Sequence, residues 1–165
     1  MILEIHLKQH LKMLTDLFLY TLIWGIFVYY FLEPLGHTVI FVVLVFLFVY
    51  AVPVIIIHIN YYKNDKETTY EFTNTGFIQK QKKDNRYIEI SEVIQIDILM
   101  TTSRYNQSGY KSFPFSGYYY ARIKTKDGSE ITLTSLFSTK LDIILKKHFY
   151  NVPITYDKTF YPIIN

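Results

Sequence analysis

Two long stretches without a charged side chain constrain this chain more than anything else in it. Residues 17–32 read LFLYTLIWGIFVYYFL and residues 38–59 read TVIFVVLVFLFVYAVPVIIIHI, and neither contains Asp, Glu, Lys or Arg. Crossing a hydrocarbon core about 30 Å thick takes about 20 apolar residues of helix. The second stretch reaches that length alone. The first does so if Leu14, Thr15 and Asp16 extend it, with Asp16 at the interface. Strands average only about 5–6 residues, and a segment in lipid must pair its own backbone groups, which leaves the helix. The pattern predicts transmembrane helices over 14–32 and 38–59. Half of the residues are hydrophobic and 19% are charged, and the two kinds coexist because they are segregated along the chain.

Between the helices, Glu33-Pro34-Leu35-Gly36-His37 carries the proline and glycine of a turn, and five residues join only antiparallel neighbours. A hairpin follows, with both ends on one side. Lys8 and Lys12 precede it and Lys63 and Lys66 follow it, whereas the turn has no basic residue. The positive-inside rule makes 33–37 external and both termini cytoplasmic. The first stretch is too long for a signal-peptide core, and no small-x-small cleavage site follows it.

Residues 1–13 place Leu3, Leu7 and Leu11 at helical spacing with Lys8 and Lys12 outside the stripe, which predicts an interfacial helix. His6 and His10 have metal-ligand spacing, but no cysteine or convincing third ligand accompanies them, so no metal site is expected. Within the hairpin, Pro53 predicts a kink and Trp24 predicts packing against the partner helix. Buried ionisable residues of a transport path are missing.

From residue 60 the pattern changes. Thr68–Thr73, Phe77–Lys82, Arg86–Ile90, Val93–Thr102, Tyr118–Thr125 and Ser129–Ser135 read as strands, with Asp127-Gly128 as a hairpin turn. In the fourth strand, Ile94, Ile96, Ile98 and Met100 alternate as the core face. Thr139–Tyr150 reads as a helix with Leu141, Ile144, Leu145 and Phe149 on one side, and with Lys146, Lys147 and His148 suited to its C-terminus. Antiparallel strands closed by one helix predict a bent sheet or partial barrel capped by a C-terminal helix, an α+β or all-β class, over 60–150. The remainder, 151–165, is too apolar for a free tail and is expected to pack on the domain or a partner.

The segments Tyr70-Glu-Phe-Thr, Gly76-Phe-Ile and Tyr87-Ile-Glu-Ile-Ser-Glu-Val-Ile-Gln-Ile resemble the opening of bacterial pleckstrin-homology-like domains. The block from Tyr119 to Leu136 is similar to small bacterial proteins with two membrane spans ahead of such a domain. The resemblance covers about residues 60 to 150 and rests on structural motifs. It implies the fold, and with it a place in a bacterial cytoplasmic membrane.

Catalysis is not expected. The six glycines form no phosphate loop, cysteine is absent, and no zinc-protease or nucleophile-elbow motif occurs. His148 reads as a helix-terminus charge. Residues 63–165 carry 15 Lys and Arg against 11 Asp and Glu, too small an excess for nucleic acid. Cofactors are not expected, and the oligomeric state is open.

Two binding surfaces remain. Lys80, Lys82, Lys83 and Arg86 cluster on one hairpin as lipid-head-group candidates, because pleckstrin-homology domains that bind anionic lipids often use an early basic hairpin; a solvated basic turn is the plainer reading. The long stretch 103–117 offers Arg104, Tyr105, Tyr110, Lys111, Phe113 and Phe115 as anchors for a protein partner, although some of these aromatics suit the core equally well. The sequence thus predicts a membrane-anchored, non-enzymatic interaction module that docks a protein partner. Anionic-lipid sensing is the alternative, and an accessory role in a transport assembly a third.

Overall fold

The structure, a computed structural model, describes residues 1–32, 37–82, 84–106 and 113–164. Helix α1 (Leu7–Phe27) continues through a wider turn at Val28–Leu32. Helix α2 (His37–Phe46) passes through a similar turn at Leu47–Ala51 into α3 (Val52–Asp65). The two helical rods run antiparallel: Tyr20 stacks on Tyr50 and Trp24 on Phe46, with ring centroids 6.0 and 5.6 Å apart. Pro53 explains the second wide turn. Proline has no N–H to give, and just before it the Val52 amide reaches back five residues to the Leu47 carbonyl. Both rods, Leu7–Tyr30 and Val39–Asp65, are long and apolar enough to cross a membrane. The turn expected at 33–37 lies outside the described residues except for His37.

The remaining chain forms two four-stranded sheets. Strands β1 (Ile2–Leu3), β2 (Thr68–Phe72), β3 (Gly76–Gln81) and β4 (Asp84–Glu89) lie in that order in the first. The second has the order β7 (Glu130–Thr134), β6 (Tyr119–Thr125), β5 (Val93–Thr101), β8 (Ile154–Thr159). A one-turn helix α4 (Thr102–Tyr105) follows β5, and α5 (Leu141–His148) precedes β8. Tyr70, Phe72, Phe77 and Ile88 of the first sheet face Ile96, Ile98, Ile123 and Leu133 of the second, and Leu141, Leu145 and Phe149 of α5 close the core.

Gly76 is required where β3 and β4 approach closely, because a Cβ there would lie 2.2 Å from the Ile88 carbonyl oxygen. Gly128 sits at φ 81° in the Asp-Gly turn between β6 and β7, a conformation that costs other residues about 1–2 kcal/mol. Arg86 of β4 reaches that turn, at 2.6 Å from Asp127 and 2.9 Å from Ser129.

Of the two expected forms, a bent sheet or a partial barrel, the strands divide between two four-stranded sheets packed on one core. Three expectations are corrected. Residues 1–13 are not one interfacial helix: Ile2 and Leu3 pair with Glu71 and Tyr70 as an edge strand, and the helix starts only at Leu7. The C-terminal segment does more than pack on the domain, since β8 joins β5 in parallel register, Ile96 opposite Ile154 and Met100 opposite Lys158. Finally, Ile94 leaves the core face. A bulge between Val93 and Gln95 shifts the register, so Val93 is buried and Ile94 is 49% exposed, as a bulge re-aims one side chain.

The same strand carries a buried acid. Asp97 accepts from Lys124 at 2.7 Å and from Thr155 of β8 at 2.5 Å. Burial raises its pKa, but the bonds from Lys124, Thr155 and Gln95 outweigh this and hold the carboxyl below its ordinary range. The parallel strand is thereby pinned to the sheet by an ionic group as well as by its backbone ladder.

Candidate functional site: the joint between helices and sheets

The inner turns of the helical rods are not free. Met13 of α1 and Val54, Ile57 and Tyr61 of α3 are buried in one cluster with Phe115, Tyr118, Tyr120 and Leu136. The residues that face the sheets recur at three- and four-residue spacing along α3, as a helix with one apolar contact stripe requires. Polar groups fix this packing in register. His10 and His58 share a hydrogen bond of 2.9 Å between Nδ1 and Nε2, and His58 Nδ1 is 2.8 Å from the Tyr118 hydroxyl. Asp65, 1% exposed, accepts from the Thr134 hydroxyl and from Asn64. The Tyr61 hydroxyl donates to the Pro162 carbonyl at 2.7 Å, and Asn60 exchanges two hydrogen bonds with Ile164.

Beside this joint lies Arg104, on α4. Its guanidinium stands 3.8 Å over the Tyr119 ring and donates to Asp142 Oδ1 and to the Thr139 carbonyl, both at 3.2 Å. Tyr119 donates to the same Asp142 oxygen at 2.9 Å, and burial pushes its phenol pKa up. The Nε of Arg104 is buried and has no acceptor among the described residues, which for a donor costs about 1–3 kcal/mol. A crevice of about 730 Å³ opens beside it, walled by Ser103, Tyr105, Asp142, Ile143, Lys146 and Tyr156. A smaller one reaches from Arg104 and Gly117 to Lys12 and Asp16 of α1, and Lys12 bonds Thr139 across it at 3.0 Å. Chemically this is a recess with arginine and lysine donors, tyrosine faces and two carboxylates, Asp142 and, in the smaller crevice, Asp16. It suits a polar or acidic group of another molecule.

The residues singled out in the sequence fall into different settings. Lys80 pairs with Glu71 and Lys82 with Glu67, each at 2.7 Å, and Arg86 pairs with Asp127. Each of these three cations therefore has an acidic neighbour, and Lys83 lies outside the described residues. Of the second group, Arg104 and Tyr105 line the crevice, with Lys158 4.3 Å over the Tyr105 ring. Phe115 is 1% exposed in the joint and stacks on Phe113 at 5.0 Å, so it is core. Tyr110 and Lys111 lie outside the described residues.

His148 also differs from its expected place as a terminal charge. It bonds the Gly76 carbonyl at 3.1 Å and sits edge-on to Phe72 at 4.8 Å. Burial, the larger effect, lowers its pKa against the raising influence of that bond. His6 pairs with Glu4 at 3.2 Å, and among the described residues no three His, Asp or Glu are grouped to hold a metal ion. Sequence reasoning missed the His10–His58–Tyr118 chain, Asp142 and Lys146. Only the helical spacing of His10 hinted at any of it, because the partners are far apart in sequence.

A family model described as the PH domain matches residues 4–146, which spans both helical rods and strands β2 to β7 and ends within α5. Among solved structures, the chain is similar to the structure of the Spt16D Pob3N heterodimer at 10% identity and a TM-score of 0.36, covering 61% of this chain and 49% of that one. The chain thus spans about half the length of that relative. No curated protein matches the sequence. With the family match covering most of its length, the chain belongs to the PH domain family.

Proposed function

We propose that this chain is a membrane-anchored, non-enzymatic interaction module whose PH domain docks a protein partner at the cytoplasmic face. The observation that carries the reading is the apolar surface that both rods leave exposed outside one buried stripe. Phe18, Ile23, Phe41 and Phe48 are each 66–68% exposed, while Met13 of the first rod and Val54, Ile57 and Tyr61 of the second are buried against the domain. An apolar face this long on both rods matches lipid as its solvent, and the domain grips only their inner ends. Basic residues near the inner ends and none in the turn favour the cytoplasmic side for the domain.

The partner surface is the crevice beside Arg104. Arginine and tyrosine are frequent interface anchors, Lys146 stands at the rim, and the Arg104 Nε lacks an acceptor among the described residues. Its basic lining suits a partner segment that presents a carboxylate. The test is co-purification of the full chain in mild detergent with rim variants that spare the folded core, Ile143→Arg and Lys146→Glu. A partner recovered with the wild type and lost with both variants is the expected result. Equal recovery from all three, or no reproducible partner, contradicts the proposal.

A further inference from the structure

Among the described residues, contacts with the domain reach well along both rods. On the first, the joint includes Met13 and Leu17; on the second, Phe113 of the domain touches Tyr50 at 5.9 Å. Beyond these contacts the described rods continue over residues 18–32 and 37–49, 15 and 13 residues long. At 1.5 Å per residue they span only about 20–22 Å, against a hydrocarbon core of about 30 Å. A membrane that receives this hairpin therefore meets the domain itself at its inner edge.

The residues waiting there are aromatic. Phe160 packs 5.6 Å from Phe113 yet is 60% exposed, and Tyr161, 4.6 Å from Phe160, is 41% exposed. The segment is not a loose end. Tyr61 and Asn60 of α3 hold Pro162 and Ile164 by three hydrogen bonds, and Thr159 bonds the Tyr161 carbonyl at 3.0 Å. Two exposed rings thus belong to a segment clamped to α3, and Phe160 lies against Phe113, which in turn touches Tyr50 of the rod.

We infer that Phe113, Phe160 and Tyr161 form an aromatic rim that sits in the interfacial layer of the bilayer and completes the short hairpin. Aromatic rings favour that layer because the ring is apolar while a tyrosine hydroxyl stays wet. The rim is continuous with the apolar surface of the rods through the Phe113–Tyr50 contact. It acts as a third point of attachment and fixes how the domain, and the crevice beside Arg104, is turned against the membrane. The inference rests on the membrane-anchored reading above. Local thinning of the bilayer is the competing answer to the same mismatch.

The chain has no cysteine, so single-cysteine spin labels read each position without background. The full chain is labelled separately at Phe160→Cys, Tyr161→Cys, Ile26→Cys and Tyr150→Cys and reconstituted in phosphatidylcholine vesicles. Collision rates with oxygen, which concentrates in lipid, and with an aqueous nickel chelate are then compared. Ile26 lies on the free part of the first rod, and Tyr150, 78% exposed, lies at the end of α5. The expected oxygen-to-nickel ratio is high at 26, low at 150, and several-fold above the 150 value at both 160 and 161. Ratios at 160 and 161 equal to that at 150, with 26 still lipid-exposed, overturn the rim and leave the anchor standing. Labels at 160 and 161 shielded from both reagents mean a protein covers the rim, which also overturns it. A low ratio at 26 overturns the anchored reading and the rim with it.

Discussion

His58, on the second helical rod, is hydrogen bonded through Nδ1 to the hydroxyl of Tyr118, the residue that leads into β6, at 2.8 Å. The other ring nitrogen meets His10 of the first rod at 2.9 Å. One imidazole therefore ties both rods to the sheets. Tyr118→Phe removes only the hydroxyl and is expected to cost about 1 kcal/mol, the net worth of a hydrogen bond, and more if His58 is left unpaired. Tyr118→Ala empties part of the joint and is expected to cost about 3–5 kcal/mol. Denaturant unfolding of the full chain in detergent measures both, and equal effects from the two variants would refute a packed joint.

His148 supplies a pH dependence. Its pKa is lower in the folded chain than in the unfolded one, so the neutral ring favours folding. That contribution is fully present above the unfolded value of about 6.5 and is lost as pH falls through the folded value. His148→Gln keeps a donor for the Gly76 carbonyl without the titration, so the stability of the wild type relative to this variant, read from unfolding midpoints, is expected to fall as pH drops below about 6.5. Identical slopes would show that His148 does not titrate differently on folding.

The two constrained glycines differ in what they tolerate. Gly76→Ala drives a Cβ against the Ile88 carbonyl oxygen and is expected to cost about 1–3 kcal/mol or more, as overpacking does. Gly128→Ala meets no atom within 4 Å and is penalised only for its left-handed backbone, by about 1–2 kcal/mol. Thermal unfolding of the pair orders them, with Gly76→Ala the less stable.

Neutralising the basic hairpin is expected to change little. Lys80 and Lys82 make surface ion pairs with Glu71 and Glu67, and exposed pairs are worth about 0–1 kcal/mol. The double variant Lys80→Gln, Lys82→Gln is expected to keep its stability and to bind anionic and neutral vesicles as the wild type does. Anionic-lipid dependence that vanishes in this variant would instead revive the hairpin as a head-group site.

What could be read from the sequence was what depends on local pattern. The apolar rods, the six strands from 68 to 135, the Asp127-Gly128 turn and α5 all announce themselves within a few residues. What could not be read depends on distant partners. Ile2 and Leu3 are too few to show a period and become a strand only by pairing with Tyr70 and Glu71. Ile94 keeps the alternation in sequence but loses the core through a bulge. The segment Ile154–Thr159 becomes a strand by lying beside β5, with Thr155 reaching Asp97. For the site, Arg104 and Tyr105 were visible as an unusual loop composition. Asp142 and Lys146 were not, because on α5 they look like ordinary exposed helix residues. The charge cluster at Lys80, Lys82 and Arg86 looked like a site because its acidic partners, Glu71, Glu67 and Asp127, come from neighbouring strands and turns.

The most direct measurement is labelling of two single-cysteine variants, Gly36→Cys and Ser91→Cys, with a membrane-impermeant maleimide. Position 36 falls between the rods in sequence, and Ser91 lies in the exposed turn between β4 and β5. If the two rods cross the membrane and carry the domain on the cytoplasmic face, the thiol at position 36 reacts in intact cells. The thiol at position 91 then reacts only after permeabilisation, and both variants remain in the membrane pellet after alkaline carbonate. Labelling of both or of neither in intact cells, or release of the chain by carbonate, contradicts a membrane-spanning hairpin.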